Sequence, residues 1–247
     1  MKRYFILSLL FLSTAVQAQT ADEIIQKSEM LLKGKTSQGT YEMIIVTPEY
    51  TRTMKMEYLW DDANDRSLIK TIAPKKEAGN KWLKIGSEMW NYLKATETTI
   101  KIPPSMMLQS WNGSDFSNDD LARESSVADD YTHSMIGVEE INGEACWKIA
   151  STPTADAAVV WGRLYSWVRQ KDYLPSIIQY FDEKGKLMRY MVYSDYKVMD
   201  GRMMPSKWSM YNKVKPGNRT EFIIDKVDFD TPIPERVFSF RELERGN

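Results

Sequence analysis

Residues Ser110–Leu121 read SWNGSDFSNDDL, and the fold of the whole chain turns on what Asp115, Asp119 and Asp120 do there. As a calcium loop the match is poor. Gly113 precedes the acids, and no glycine and no distant glutamate follow at the required spacing. As a general acid and base, Asp115 with Asp119 or Asp120 would need a cleft that shifts their pKa values, and no other motif supports one. The folding reading uses more of the residues. Asn112-Gly113 is a turn signal. Ser117 with Asp120 three positions on forms a short acidic capping box, and acids suit the positive end of a helix. Phe116 precedes the cap, where it can staple against Leu121. The acids therefore start a short helix.

The flanks of the chain agree with a protein built around structure rather than catalysis. Lys2 and Arg3, the apolar run Tyr4–Leu12 and the small-residue pattern Val16-Gln17-Ala18 read as a secretory signal peptide cleaved after Ala18. Its apolar core is too short to span a membrane. Residues 19–247 then form one exported domain. Removing Lys2 and Arg3 takes the formal charge from −1 to −3, so nothing points to nucleic acid. Cys146 has no second cysteine to pair with and lies in a strand-like run, which makes it a small buried apolar group. His133 has no companion at zinc-ligand spacing, and no GxSxG, P-loop or GxGxxG pattern occurs. No metal or cofactor is expected.

The stretch from Thr20 to Lys35 predicts one amphipathic helix, with Thr20 and Glu23 as a capping box and Gly34 as C-cap. Short runs rich in β-formers follow to about Ile102, and again from His133 to Phe229. Turns at Asn142-Gly143, Asp182–Gly185, Asp200-Gly201 and Pro216–Asn218 are of hairpin grade. Roughly a dozen strands with brief connections predict a mainly β (α+β) fold. It is a single large curved antiparallel sheet, with the N-terminal helix and a central loop and helix near Pro103–Glu124 to cover its buried face.

These residues also resemble a known family. "EMWNYL" followed by "TIKIPPSMMLQSWNGSDFSNDDL" is similar to the LolA-like outer-membrane lipoprotein-sorting proteins, which carry a W-x-YLP-type strand and a loop of the form S-F-x-GSDFSYEDL. The match runs through Trp90, Tyr92, Leu93, Ser110, Gly113–Ser117, Asp120 and Leu121, and later through Gly137–Trp147 and the ending PERVFSFRELER. Lys94, Trp111 and Asn118 depart from the usual proline, phenylalanine and tyrosine. The resemblance implies an incomplete β-barrel closed by helices around an apolar cavity. It implies a periplasmic, non-catalytic carrier for lipid or lipoprotein acyl chains, served by an inner-membrane exporter or an outer-membrane acceptor. A sensor that binds lipid or envelope protein, and an acid-dependent enzyme, stay open as alternatives. Strand alternation and the abundance of Met and aromatic residues nominate Met43, Met54, Met56, Trp82, Trp90, Tyr92, Met106, Trp111, Tyr165 and Trp167 as cavity lining.

Overall fold

The computed structural model describes residues 19–122, 127–157 and 159–245; the signal peptide expected at 1–18 lies outside them. Among the described residues, one antiparallel sheet holds thirteen strands. Its first half comprises β1 (Thr36–Val46), β2 (Thr51–Asp61), β3 (Arg66–Ala73), β4 (Lys81–Ile85), β5 (Glu88–Leu93) and β6 (Thr98–Lys101). The second comprises β7 (Tyr131–Ile141), β8 (Glu144–Pro153), β9 (Arg163–Arg169), β10 (Pro175–Phe181), β11 (Leu187–Met199), β12 (Arg202–Asn212) and β13 (Arg219–Phe229). Each half is a meander, and the first strand of one pairs with the last of the other, β1 with β13. The sheet therefore ends at β6 on one side and β7 on the other and does not close. The incomplete barrel implied by the family resemblance is the observed fold.

Local chemistry sets these elements. The type I′ turn of a two-residue hairpin needs positive φ at both turn positions, and Asn142-Gly143 (52° and 81°) and Asp200-Gly201 (48° and 74°) supply it. At the β1–β13 seam the register slips between Thr40 and Tyr41. Beside it, a Cβ on Gly39 would sit 2.0 Å from the carbonyl oxygen of Lys226, so only glycine lets the strands approach there.

Helix α1 (Ala21–Leu32) opens on the expected box. The Glu23 amide donates to the Thr20 hydroxyl and the Thr20 amide donates to Glu23. Its far end differs from expectation: the cap residue is Lys33, in an extended conformation. Gly34 is glycine for another reason, since a Cβ there would press on the Thr36 carbonyl and the Asp230 carboxylate.

Alternation splits the sheet into two faces. On the inner face, direct cross-strand partners form one row through five strands: Tyr193, Trp208, Phe222, Met43 and Met54. Helix α1 covers one part of that face, with Ala21, Ile24 and Ile25 against Ile149 and Val168. On the outer face, Leu68, Leu83 and Tyr92 pack under Phe238 and Leu243 of the C-terminal segment, which ends in α4 (Phe240–Glu244). The Lys81 ammonium holds that helix by donating to the Glu242 and Arg245 carbonyls at 2.7 and 2.8 Å. Cys146 is fully buried, as expected, and burial pushes its thiol pKa up.

Candidate functional site: the inner face and its lid

The chain between β6 and β7 joins the two open edges of the sheet, and it runs over the inner face as a lid. Among its described residues it contains short turns, α2 (Asn118–Ala122) and α3 (Val127–Asp130). The lid is internally tied. The Trp111 amide donates to the Phe116 carbonyl at 2.7 Å, and Asn118 and Asp119 donate to the carbonyls of Gln109 and Met107. Positive φ at Asn112 and Gly113 makes the tight reversal. The Ser117–Asp120 capping box is present: the Asp120 amide donates to the Ser117 hydroxyl, and the Ser117 amide donates to the Asp120 carboxylate.

Two of the three acids of the Ser110–Leu121 stretch, Asp115 and Asp120, are lid fastenings. Asp115 accepts from the Thr220 hydroxyl at 2.9 Å and the Asn212 amide at 3.0 Å, fixing the loop to β13 and β12. Asp120 forms a two-oxygen ion pair with Arg189 of β11, at 2.7 and 2.5 Å. Burial alone would raise the Asp120 pKa. The Arg189 guanidinium and the Ser117 donors outweigh it and hold the carboxyl below the usual range. An acid held ionised in this way is a poor proton donor at neutral pH.

Apolar contacts do the rest. Trp111 is 1 % exposed and meets Trp82 edge-on, ring centres 5.5 Å apart. It completes a cluster with Met43, Ile45, Met54, Met56, Ile69, Trp82 and Met89, against which Met107 and Leu121 also pack. Phe116 meets Phe222 at 4.8 Å and joins Met191, Tyr193 and Met210. Over these strands the inner face is thus packed against the lid's own side chains. Two surface depressions, of about 410 Å³ beside Tyr190 and Tyr211 and about 310 Å³ beside Tyr92 and Glu244, lie away from this cluster.

The structure brings together five of the ten nominated residues: Met43, Met54, Met56, Trp82 and Trp111. Trp90 and Tyr92 point to the outer face instead, where they pack in the cluster under the C-terminal segment, and Trp90 meets Phe240. Tyr165 and Trp167 are also outer-face residues, pairing across the sheet with Ala150 and Lys148. There Trp167 donates to Glu139 at 2.8 Å, and the Lys148 ammonium lies over both rings. Met106 is exposed, while its neighbour Met107 packs inward. Sequence reasoning passed over Arg189, Tyr180, Tyr193 and Phe222. The available signal was the parity of β11, which sets Arg189 in the same row as Met191 and Tyr193.

A protein-family model described only as that of an uncharacterized protein matches residues 63–245. No functionally curated protein matches the sequence. Among solved structures, a DUF1329 family protein from Desulfovibrio piger superposes with a TM-score of 0.81 at 21% identity, over 90% of this chain and 97% of its own. A putative outer membrane lipoprotein-sorting protein domain from Vibrio parahaemolyticus gives 0.79 at 22%, over 91% and 98%. A LolA superfamily protein from Nitrosomonas europaea gives 0.75 at 19%, over 91% and 100%. These likenesses are of fold.

Proposed function

We infer that this chain, a LolA-like protein belonging to the family whose model matches residues 63–245, is a periplasmic carrier that takes an acyl chain between its sheet and its lid. The observation that carries this reading is the nature of the cover. What lies over the Met- and aromatic-lined inner face is not a strand of the sheet. It is a segment anchored at both open edges and held by side-chain ties to Asp115 and Asp120. It can lift without breaking one ladder hydrogen bond.

An acyl chain that enters replaces the contacts of Trp111 and Phe116 with its own, at about 0.8 kcal/mol per buried methylene. The exchange is balanced, as reversible carriage requires. Methionines suit it because their flexible thioethers repack around irregular ligands. Met43, Met54, Met56, Trp82 and Trp111 form the lining, and no bond is made or broken in the cargo. Export through the 1–18 signal peptide, and hand-over from an inner-membrane exporter or to an outer-membrane acceptor, complete the proposal. Native mass spectrometry of the mature protein from its own periplasm, followed by lipid extraction, tests it. A near-stoichiometric acylated species supports the carrier. Ligand-free protein that also fails to take up a fluorescent fatty acid refutes it.

A further inference from the structure

A purely apolar cargo needs no buried charge, yet the inner face holds one. Arg189 stands on β11 one inner-row position from Met191, and its side chain is 8 % exposed. The guanidinium lies 4.5 Å from the Trp161 ring and 4.8 Å from the Tyr180 ring, a placement that holds its plane by cation–π attraction. Its bonds to oxygen among the described residues run to the Asp120 carboxylate and the Asp115 carbonyl, the latter at 3.0 Å. Both acceptors belong to the lid. Its Nε is buried and has no partner.

When the lid lifts, the aromatic walls stay with the sheet and the β8–β9 connection, and the anion leaves. A buried guanidinium stripped of its counter-charge is strongly unfavourable. A cargo that covers the guanidinium again therefore needs an anion at the same place, and an arginine fork reads two oxygens of a carboxylate or a phosphate equally well. We propose that Arg189 is the anion receptor for the cargo and that Asp120 is its internal stand-in while the lid is shut. The ligand class is then an acyl or alkyl chain bearing a carboxylate or phosphate, seated with that group on the Arg189 guanidinium where the Asp120 carboxylate lies in the closed state. The free Nε offers it a further donor. This inference rests on the carrier reading and adds the polar end of the ligand to it.

The test uses the mature protein at neutral pH with dansyl-undecanoic acid, its uncharged methyl ester, and hexadecyl phosphate as competitor. The acid should bind about tenfold or more tighter than the ester, the fold-change of one charge-assisted hydrogen bond. Arg189→Gln should abolish the preference, so that acid and ester bind with the same affinity. Asp120→Asn, which removes the internal competitor, should strengthen acid binding more than ester binding. The double variant, which leaves no buried unpaired charge, should bind acid and ester alike. It keeps the test open if Arg189→Gln fails to fold. Hexadecyl phosphate should displace the acid, and its potency relative to palmitate ranks phosphate against carboxylate as the natural group. Equal binding of acid and ester by the unmodified protein, or a preference that survives in the double variant, overturns the receptor role while leaving the carrier standing. Failure to bind either probe overturns the carrier reading and this one with it.

Discussion

Replacing Trp111 with alanine separates a lid from an ordinary piece of core. The indole is 1 % exposed, meets Trp82 edge-on at 5.5 Å, and shares its cluster with three fully buried methionines, Met43, Met54 and Met56. Removing a buried aromatic side chain of this kind costs about 3–5 kcal/mol, from lost transfer energy and the cavity left behind. The indole nitrogen has no partner, so no hydrogen bond is lost with it. If the lid is a separate unit, the cost falls on the closed state alone. The lower figure then corresponds to about a hundredfold larger open population. Native-state hydrogen exchange reads this directly. The Asp115 amide, which donates to the Thr220 hydroxyl of β13 at 2.9 Å, reports lid closure, and those along the Met43–Met54 pairing of β1 and β2 report the sheet. The expected result is a loss of protection of about two orders of magnitude at the Asp115 amide, with the sheet amides changed far less. Equal loss at both places would mean that Trp111 is integral to the sheet's stability and that the lid does not open on its own.

The remaining predictions test charge, backbone and face. Because the Asp120 carboxyl is held below its ordinary range in the folded state, its contribution is full above about pH 4 and fades as pH falls through its own lower pKa. Acidification should therefore lower lid protection, and Asp120→Asn should remove that pH dependence while costing stability at neutral pH, because Arg189 loses its partner. Gly39→Ala should cost several kcal/mol or prevent folding, since the new methyl group meets the Lys226 carbonyl. Gly137→Ala, with nothing within 4 Å of its Cβ, should stay within about 0.5 kcal/mol in urea denaturation. Trp90→Ala and Trp167→Ala should lower the urea midpoint yet leave fatty-acid uptake unchanged, whereas Met56→Asp should abolish uptake. Uptake lost with Trp167 would refute the assignment of faces.

The last pair of variants marks where sequence reasoning stopped. Alternation correctly grouped Met54 with Met56, and Trp90 with Tyr92, because side chains two apart share a face whatever the sheet does. It could not say which group faces inward. In most half-buried sheets the outer face is polar and resolves the ambiguity. Here the outer face carries its own aromatic groups, packed under Phe238 and Leu243 or beneath Lys148, so both parities of β5 and β9 look apolar. The caps were legible because Thr20–Glu23 and Ser117–Asp120 are local and depend on three-residue spacing alone. Arg189 was not, because its partner lies 69 residues away in sequence.

That separation also explains why the lid is fastened with acids at all. An apolar plug over an apolar face would hold by area alone, with many near-equivalent seatings. On the sheet, Asp115 meets one hydroxyl and one amide, and Asp120 meets one guanidinium, each with fixed direction. These ties select a single closed register at little net gain in stability, since a buried ion pair gives back in desolvation much of what it gains in attraction. The consequence is a cover that is well defined when shut and inexpensive to release when another anion reaches Arg189. Directional polar ties at the margin and non-directional methionine packing beneath them divide the work between specifying the closed state and accommodating a variable chain.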